Sequence, residues 1–88
     1  MLNDKVSKWF YQHFGDRPWS HRLIEPQDFE VMPKEVLVEL LETARMVTPR
    51  NGLDQADFLE AVLLRRCDLF VIKGYKAIQI VVVWNDRP

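Results

Sequence analysis

A chain of 88 residues is sized for one domain, and a core this small buries only about 60% of the surface exposed by its unfolded chain. Its 48% hydrophobic, 11% aromatic and 28% charged residues, with only 3 Gly and 5 Pro, exclude the collagenous and low-complexity classes and argue against disorder. The 12 Lys and Arg against 13 Asp and Glu leave a net charge of −1, which argues against a protein devoted to coating nucleic acid or an anionic membrane.

The longest apolar run, Ile80 to Trp84, is far short of the roughly 18 residues of a membrane helix. The N-terminal Met-Leu-Asn-Asp-Lys lacks the basic and then apolar pattern of a secretory signal, and Cys67 has no second cysteine to pair with. These features predict a soluble cytoplasmic protein that does not enter membranes. Without repeats, Gly/Ser linkers or like-charge runs, residues 1–88 read as a single domain. Residues 25–42 are acidic (Glu25, Asp28, Glu30, Glu35, Glu39, Glu42), whereas residues 61–76 carry Arg65, Arg66, Lys73 and Lys76 against Asp68 alone.

A first helix is predicted over Asp4 to Phe14, capped by Asn3 and ended by Gly15, with Leu2, Val6, Trp9, Phe10, His13 and Phe14 on one core-facing stripe. Pro18 and Pro26 break any long element in residues 16–32 and leave Trp19 to Ile24 open to a helical turn or a short strand, so the segment reads as irregular. Pro33, at a first-turn position, opens a second helix whose buried face is Leu37, Leu40, Leu41, Ala44 and Val47 and whose wet face is Glu35, Glu39 and Glu42. Pro49 and Asn51-Gly52 end it. A third helix starts at Asp54 as N-cap, with Leu53 and Phe58 spaced as a hydrophobic staple and with Leu59, Val62, Leu63 and Cys67 as its core stripe.

Asp68–Lys73 and Ala77–Trp84 are rich in β-branched and aromatic residues and flank Gly74-Tyr75, which suits a two-residue hairpin turn pairing Lys73 with Lys76. That pairing puts Leu69, Val71, Ile78, Ile80 and Val82 on one face and Asp68, Phe70, Ile72, Ala77, Gln79, Val81 and Val83 on the other. The expected fold is α+β, a three-helix core followed by a C-terminal β-hairpin. This order of elements resembles that of a winged-helix domain, a likeness of architecture that no sequence motif accompanies.

His13, His21 and Cys67 match no metal-ligand spacing, so no metal and no cofactor are expected. Cys67 reads as a small buried hydrophobe rather than a nucleophile, because no orienting group or oxyanion site is signalled. Glu35, Glu39 and Glu42 read as a solvated helix face, with an acidic docking surface as the alternative. No catalytic set emerges, and the chain is not expected to be an enzyme.

A winged helix reads DNA with its third helix and its wing, which the resemblance places on Asp54, Asp57, Glu60, Ala61, Leu64 and Arg65 and on the hairpin tip. Three carboxylates there have the wrong sign for a polyanion. Arg65, Arg66, Lys73, Tyr75 and Lys76 are the candidate phosphate contacts, with Arg45 and Arg50 beside them. Half of the aromatics lie between Trp9 and Trp19, more than one helix face can bury, so Tyr11, Arg17, Trp19 and Arg22 form a candidate partner-binding set. Trp19 has a competing reading as a lid on the core. Phe70, Ile72, Val81 and Val83 on the second face of the hairpin form another, expected to be covered by a second copy in a homodimer or by residues 16–32 wrapping back.

The sequence therefore predicts a non-enzymatic binding or regulatory module acting through a protein partner, by self-association or by docking on a larger assembly. Small phage and mobile-element factors that modify a host machine are of this kind. A winged-helix-like DNA-binding regulator is the alternative, with nucleic acid a secondary partner.

Overall fold

The Asn3 side chain accepts a 2.9 Å hydrogen bond from the Val6 N–H and starts α1 (Asp4–Phe14), which Gly15 ends at φ 64° by donating to the Tyr11 carbonyl. The computed structural model describes residues 2–15 and 18–85. Within them lie four helices and a three-stranded antiparallel sheet, a mixed α+β fold in which the helices precede the C-terminal hairpin. The expected order of elements holds, with a short strand and a short helix added to it.

Both additions lie in the segment expected to be irregular. β1 (His21–Leu23) pairs antiparallel with β2 (Cys67–Lys73), placing Arg22 opposite Val71, and α2 (Pro26–Glu30) follows at once. A short strand was one of the two forms open to Trp19–Ile24, but three residues are too few for a period-two pattern to decide it, and the five residues of α2 are barely one helical turn. Pro26 at the first turn and the Asp28 carboxylate, which accepts a 2.7 Å hydrogen bond from the Glu25 N–H, fix the start of α2.

α3 (Lys34–Val47) begins one residue later than its proline suggested, with Pro33 outside as the cap. Its buried face is Val36, Leu40, Leu41, Thr43 and Ala44; Leu37 is half-buried, and Val47, expected inside, is 55% exposed. Asp54 caps α4 (Gln55–Leu63) through a 2.8 Å hydrogen bond from Asp57 N–H, and Leu53 packs at its mouth as the staple requires.

The core stripe of α4 differs from the expected one. Ala61 is buried beside Phe58 and Val62, whereas Leu63 is 46% exposed and Cys67 belongs to β2 rather than to the helix. The helix stops early because Arg65 takes a left-handed conformation at φ 58°. There the Arg66 N–H bonds back to Ala61 and the Arg65 N–H to Val62, a Schellman closure without glycine. A non-glycine residue there costs on the order of 1 kcal/mol. The Arg65 side chain opposes that cost by reaching Glu25 at 2.5 Å and Asp68 at 3.3 Å.

β2 pairs with β3 (Ile78–Trp84) so that Lys73 faces Ile78, not Lys76. The connection is therefore a four-residue loop, closed by a 3.0 Å hydrogen bond from Gly74 N–H to the Ala77 carbonyl. A Cβ on Gly74 would lie 2.5 Å from that oxygen, so glycine is required for close approach rather than for the positive φ of the expected turn. The register moves by two, an even number, and the faces are preserved. Leu69, Val71, Ile78, Ile80 and Val82 all pack inward with Cys67, on a core of α1, α3 and α4 centred on Phe10, Leu40 and Phe58.

Candidate functional site

α1 is too narrow to hide its aromatics, and the surplus collects at its C-terminal end. Phe14 is buried, Trp19 is half-buried with its ring centroid 5.1 Å from that of Phe14, and Tyr11 lies 6.1 Å beyond Trp19 and is 41% exposed. Trp19 thus acts as both lid and surface. β1 pairing brings Arg22 here, with its guanidinium 5.2 Å above the Phe14 ring. Lys73, at the end of β2, places its ammonium 5.7 Å from both the Tyr11 and Trp19 rings. Cations over aromatic faces at these distances gain about 0.5–1 kcal/mol each at exposed sites.

Tyr11, Trp19 and Arg22, expected together, do meet; Arg17 lies outside the described residues. Lys73, expected among phosphate contacts, lies beside this aromatic patch. The signal that could have found it is weak: the β1–β2 pairing that carries it there joins residues far apart in sequence.

Next to the patch, a cleft of about 270 Å³ is lined by His13, Phe14, Pro18, Trp19, Arg22, Gln27 and Asp28. The buried Asp28 carboxylate accepts a 2.8 Å hydrogen bond from His13 Nε2, so one side chain joins α1 to the cap of α2. His13 also stacks on Trp9 at 4.7 Å, but it is exposed and Trp9 half-buried, so the core stripe of α1 is Leu2, Val6, Phe10 and Phe14 rather than the wider one expected. His21 is exposed beside the Ser20 hydroxyl. The Trp19 indole N–H is buried and has no hydrogen-bond partner among the described residues.

The other candidates are dispersed. Arg65 is held by Glu25 and Asp68 at the base of the hairpin, and Arg66 beside it is exposed. Tyr75, 99% exposed, and Lys76 stand on the loop at the opposite end of seven-residue strands, roughly 20 Å away at about 3.4 Å per residue. Arg50 lies 4.0 Å over the Trp84 ring. On the second face of the sheet, Phe70, Ile72 and Val81 are half-buried and Val83 is 45% exposed. β1 extends the sheet beside β2, so residues 21–23 occupy one edge of the hairpin.

Cys67 is fully buried, and burial pushes its thiol up to about 11, with the neighbouring Asp68 carboxylate adding and Arg50 opposing. It is a thiol, not a thiolate, at neutral pH. Glu35 pairs with Lys5 at 2.8 Å and Glu42 accepts from Gln55 at 3.0 Å, so the acidic face of α3 is engaged by neighbours on the surface. Among the described residues, no three His, Cys, Asp or Glu side chains are placed to hold a metal, and no helix is long and apolar enough to cross a membrane. No protein family, curated protein or solved structure matches the chain.

Proposed function

We propose that this protein is a small, non-enzymatic, cytoplasmic binding or regulatory module that works through a protein partner, by docking on a larger assembly and by self-association through its hairpin. The docking surface is the patch of Tyr11, Trp19, Arg22 and Lys73. Its gathering of two large aromatics and two cations from α1, the loop after it, β1 and β2 is the observation that carries the reading. Trp, Tyr and Arg dominate the hot spots of protein interfaces: the aromatics bury much area at little entropic cost, Arg binds carboxylates with direction, and Lys73 adds a point charge beside them. The complementary partner surface is acidic with apolar groups between the charges.

A DNA-binding regulator has less support. The candidate phosphate contacts separate into a base and a tip, Arg65 is engaged by two carboxylates, and α4 and its N-cap present Asp54, Asp57 and Glu60 on exposed positions. A salt series on duplex DNA separates the two classes: a steep fall of log affinity with log salt would favour DNA, and no binding at low salt would remove it.

The docking surface is tested by placing a photo-crosslinking side chain at Tyr11 and, as a control, at Glu60, inside the source cell. A discrete protein adduct from position 11 alone is expected. In the same assay, Lys73→Glu should lower partner binding about tenfold or more while thermal unfolding moves by only a few degrees. Equal adducts from both positions, or none, would reject the patch.

A further inference from the structure

We infer that β3 is an open, self-complementary edge and that two copies of the chain join through it as an antiparallel pair centred on Val81. The inference deepens the self-association in the proposed function and does not depend on the aromatic patch.

The phase of the sheet shows which backbone groups are free. Lys73 N–H donates to Ser20 and Ile24 N–H to the Leu69 carbonyl, so the odd-numbered residues of β2 bond toward β1. The even-numbered residues, Asp68, Phe70 and Ile72, then bond toward their β3 partners Val83, Val81 and Gln79. Gly74 to Ala77 and Asn85 to Arg66 continue the same phase at both ends of the hairpin. Backbone direction alternates along a strand, so the N–H and C=O groups of Ile78, Ile80, Val82 and Trp84 point away from β2 to an edge that no described strand occupies.

The two edges of the sheet are built differently. β1 is three residues long and carries His21 and Arg22, the short and charged form by which proteins blunt an edge. β3 is seven residues long and reads Ile-Gln-Ile-Val-Val-Val-Trp, without a charge, proline, glycine or bulge. An edge kept open for a foreign strand must still bar copies of its own chain, and β3 has none of the devices that would. A second copy is therefore the occupant.

Pairing about Val81 sets Ile80 opposite Val82 and Ile78 opposite Trp84, the one register that uses all four outward residues of each strand; a slip by two leaves some unpaired. It sets Gln79 against Val83 and brings no like charges together. A groove along this edge, lined by Thr43 and the exposed Val47 of α3 and by Ile78, Gln79, Ile80 and Val81 of β3, receives the added strand.

Light scattering of the full chain at micromolar concentration should give twice the chain mass. In this register the two Val81 residues form a non-hydrogen-bonded pair with Cα atoms about 4.5 Å apart, within disulfide range. Mild oxidation of Val81→Cys should yield a covalent dimer. Gln79→Cys should not, because its partner is Val83, and neither should the parent, because Cys67 is fully buried. A monomer at all concentrations would overturn both this inference and self-association. A dimer in which Gln79→Cys crosslinks as readily as Val81→Cys would overturn the register and leave self-association standing.

Discussion

The hairpin and the segment Pro18–Met32 meet along β1 and β2, yet they owe their structure to different things. In the hairpin, seven pairs form across a four-residue loop, and each strand has enough residues for alternation to sort its side chains inward and outward. In the segment, β1 exists because β2 offers it an edge, and α2 exists because Asp28 is held both by the Glu25 N–H and by His13 of α1. The first is written in local pattern; the second is written in contacts between distant residues.

The comparison breaks most sharply in the core, where both regions contribute. Ile24, beside β1, is 1% exposed, and Leu69, on β2, is fully buried. If the segment is as much part of the fold as the hairpin, Ile24→Ala and Leu69→Ala should each cost roughly 2–5 kcal/mol in a denaturant titration. Leu63→Ala, on the exposed side of α4, should cost well under half of that. An Ile24→Ala variant as stable as Leu63→Ala would show that the segment only rests on the core.

The same contrast explains what the sequence could be made to tell. The limits of α1 were legible because Asn3 and Gly15 are the residues that caps require, and the hairpin faces survived a wrong turn because an even register shift leaves them unchanged. The end of α4 was not legible: its left-handed residue is Arg65, stabilised by Glu25, so the usual glycine signal is missing and the burial of Ala61 and Leu63 was exchanged. Tyr11, Trp19 and Arg22 could be grouped because they are neighbours in sequence. Lys73 joins them only through the fold.

A smaller and more local effect is expected at Asp28. Its two oxygens hold the cap of α2 and the His13 ring, so Asp28→Ala leaves a part-buried N–H and a ring nitrogen without their acceptor and should cost about 1–3 kcal/mol. Amide exchange should rise in residues 25–32 while β2 and β3 keep their protection, because the hairpin pairs do not pass through this carboxylate. Uniform loss of protection would mean that the segment and the hairpin open as one unit.

The effect that vanishes at neutral pH lies at the base of the hairpin, where Cys67 opens β2 opposite Trp84. Its thiol is raised from 9.0 to about 11, chiefly by burial. Below pH 9 the thiol is protonated whether the chain is folded or not, and ionisation adds nothing to stability. Between about 9 and 11 the unfolded chain loses this proton while the folded chain keeps it, so stability falls as pH rises and levels off above the folded value. Tyrosines and lysines titrate in the same range, and subtracting the curve of Cys67→Ala removes their contribution. The difference between the two variants should be constant up to about pH 9 and should then shift against the parent. A difference that stays flat to pH 11 would mean that water reaches the thiol and that the base of the hairpin is more open than its inner face.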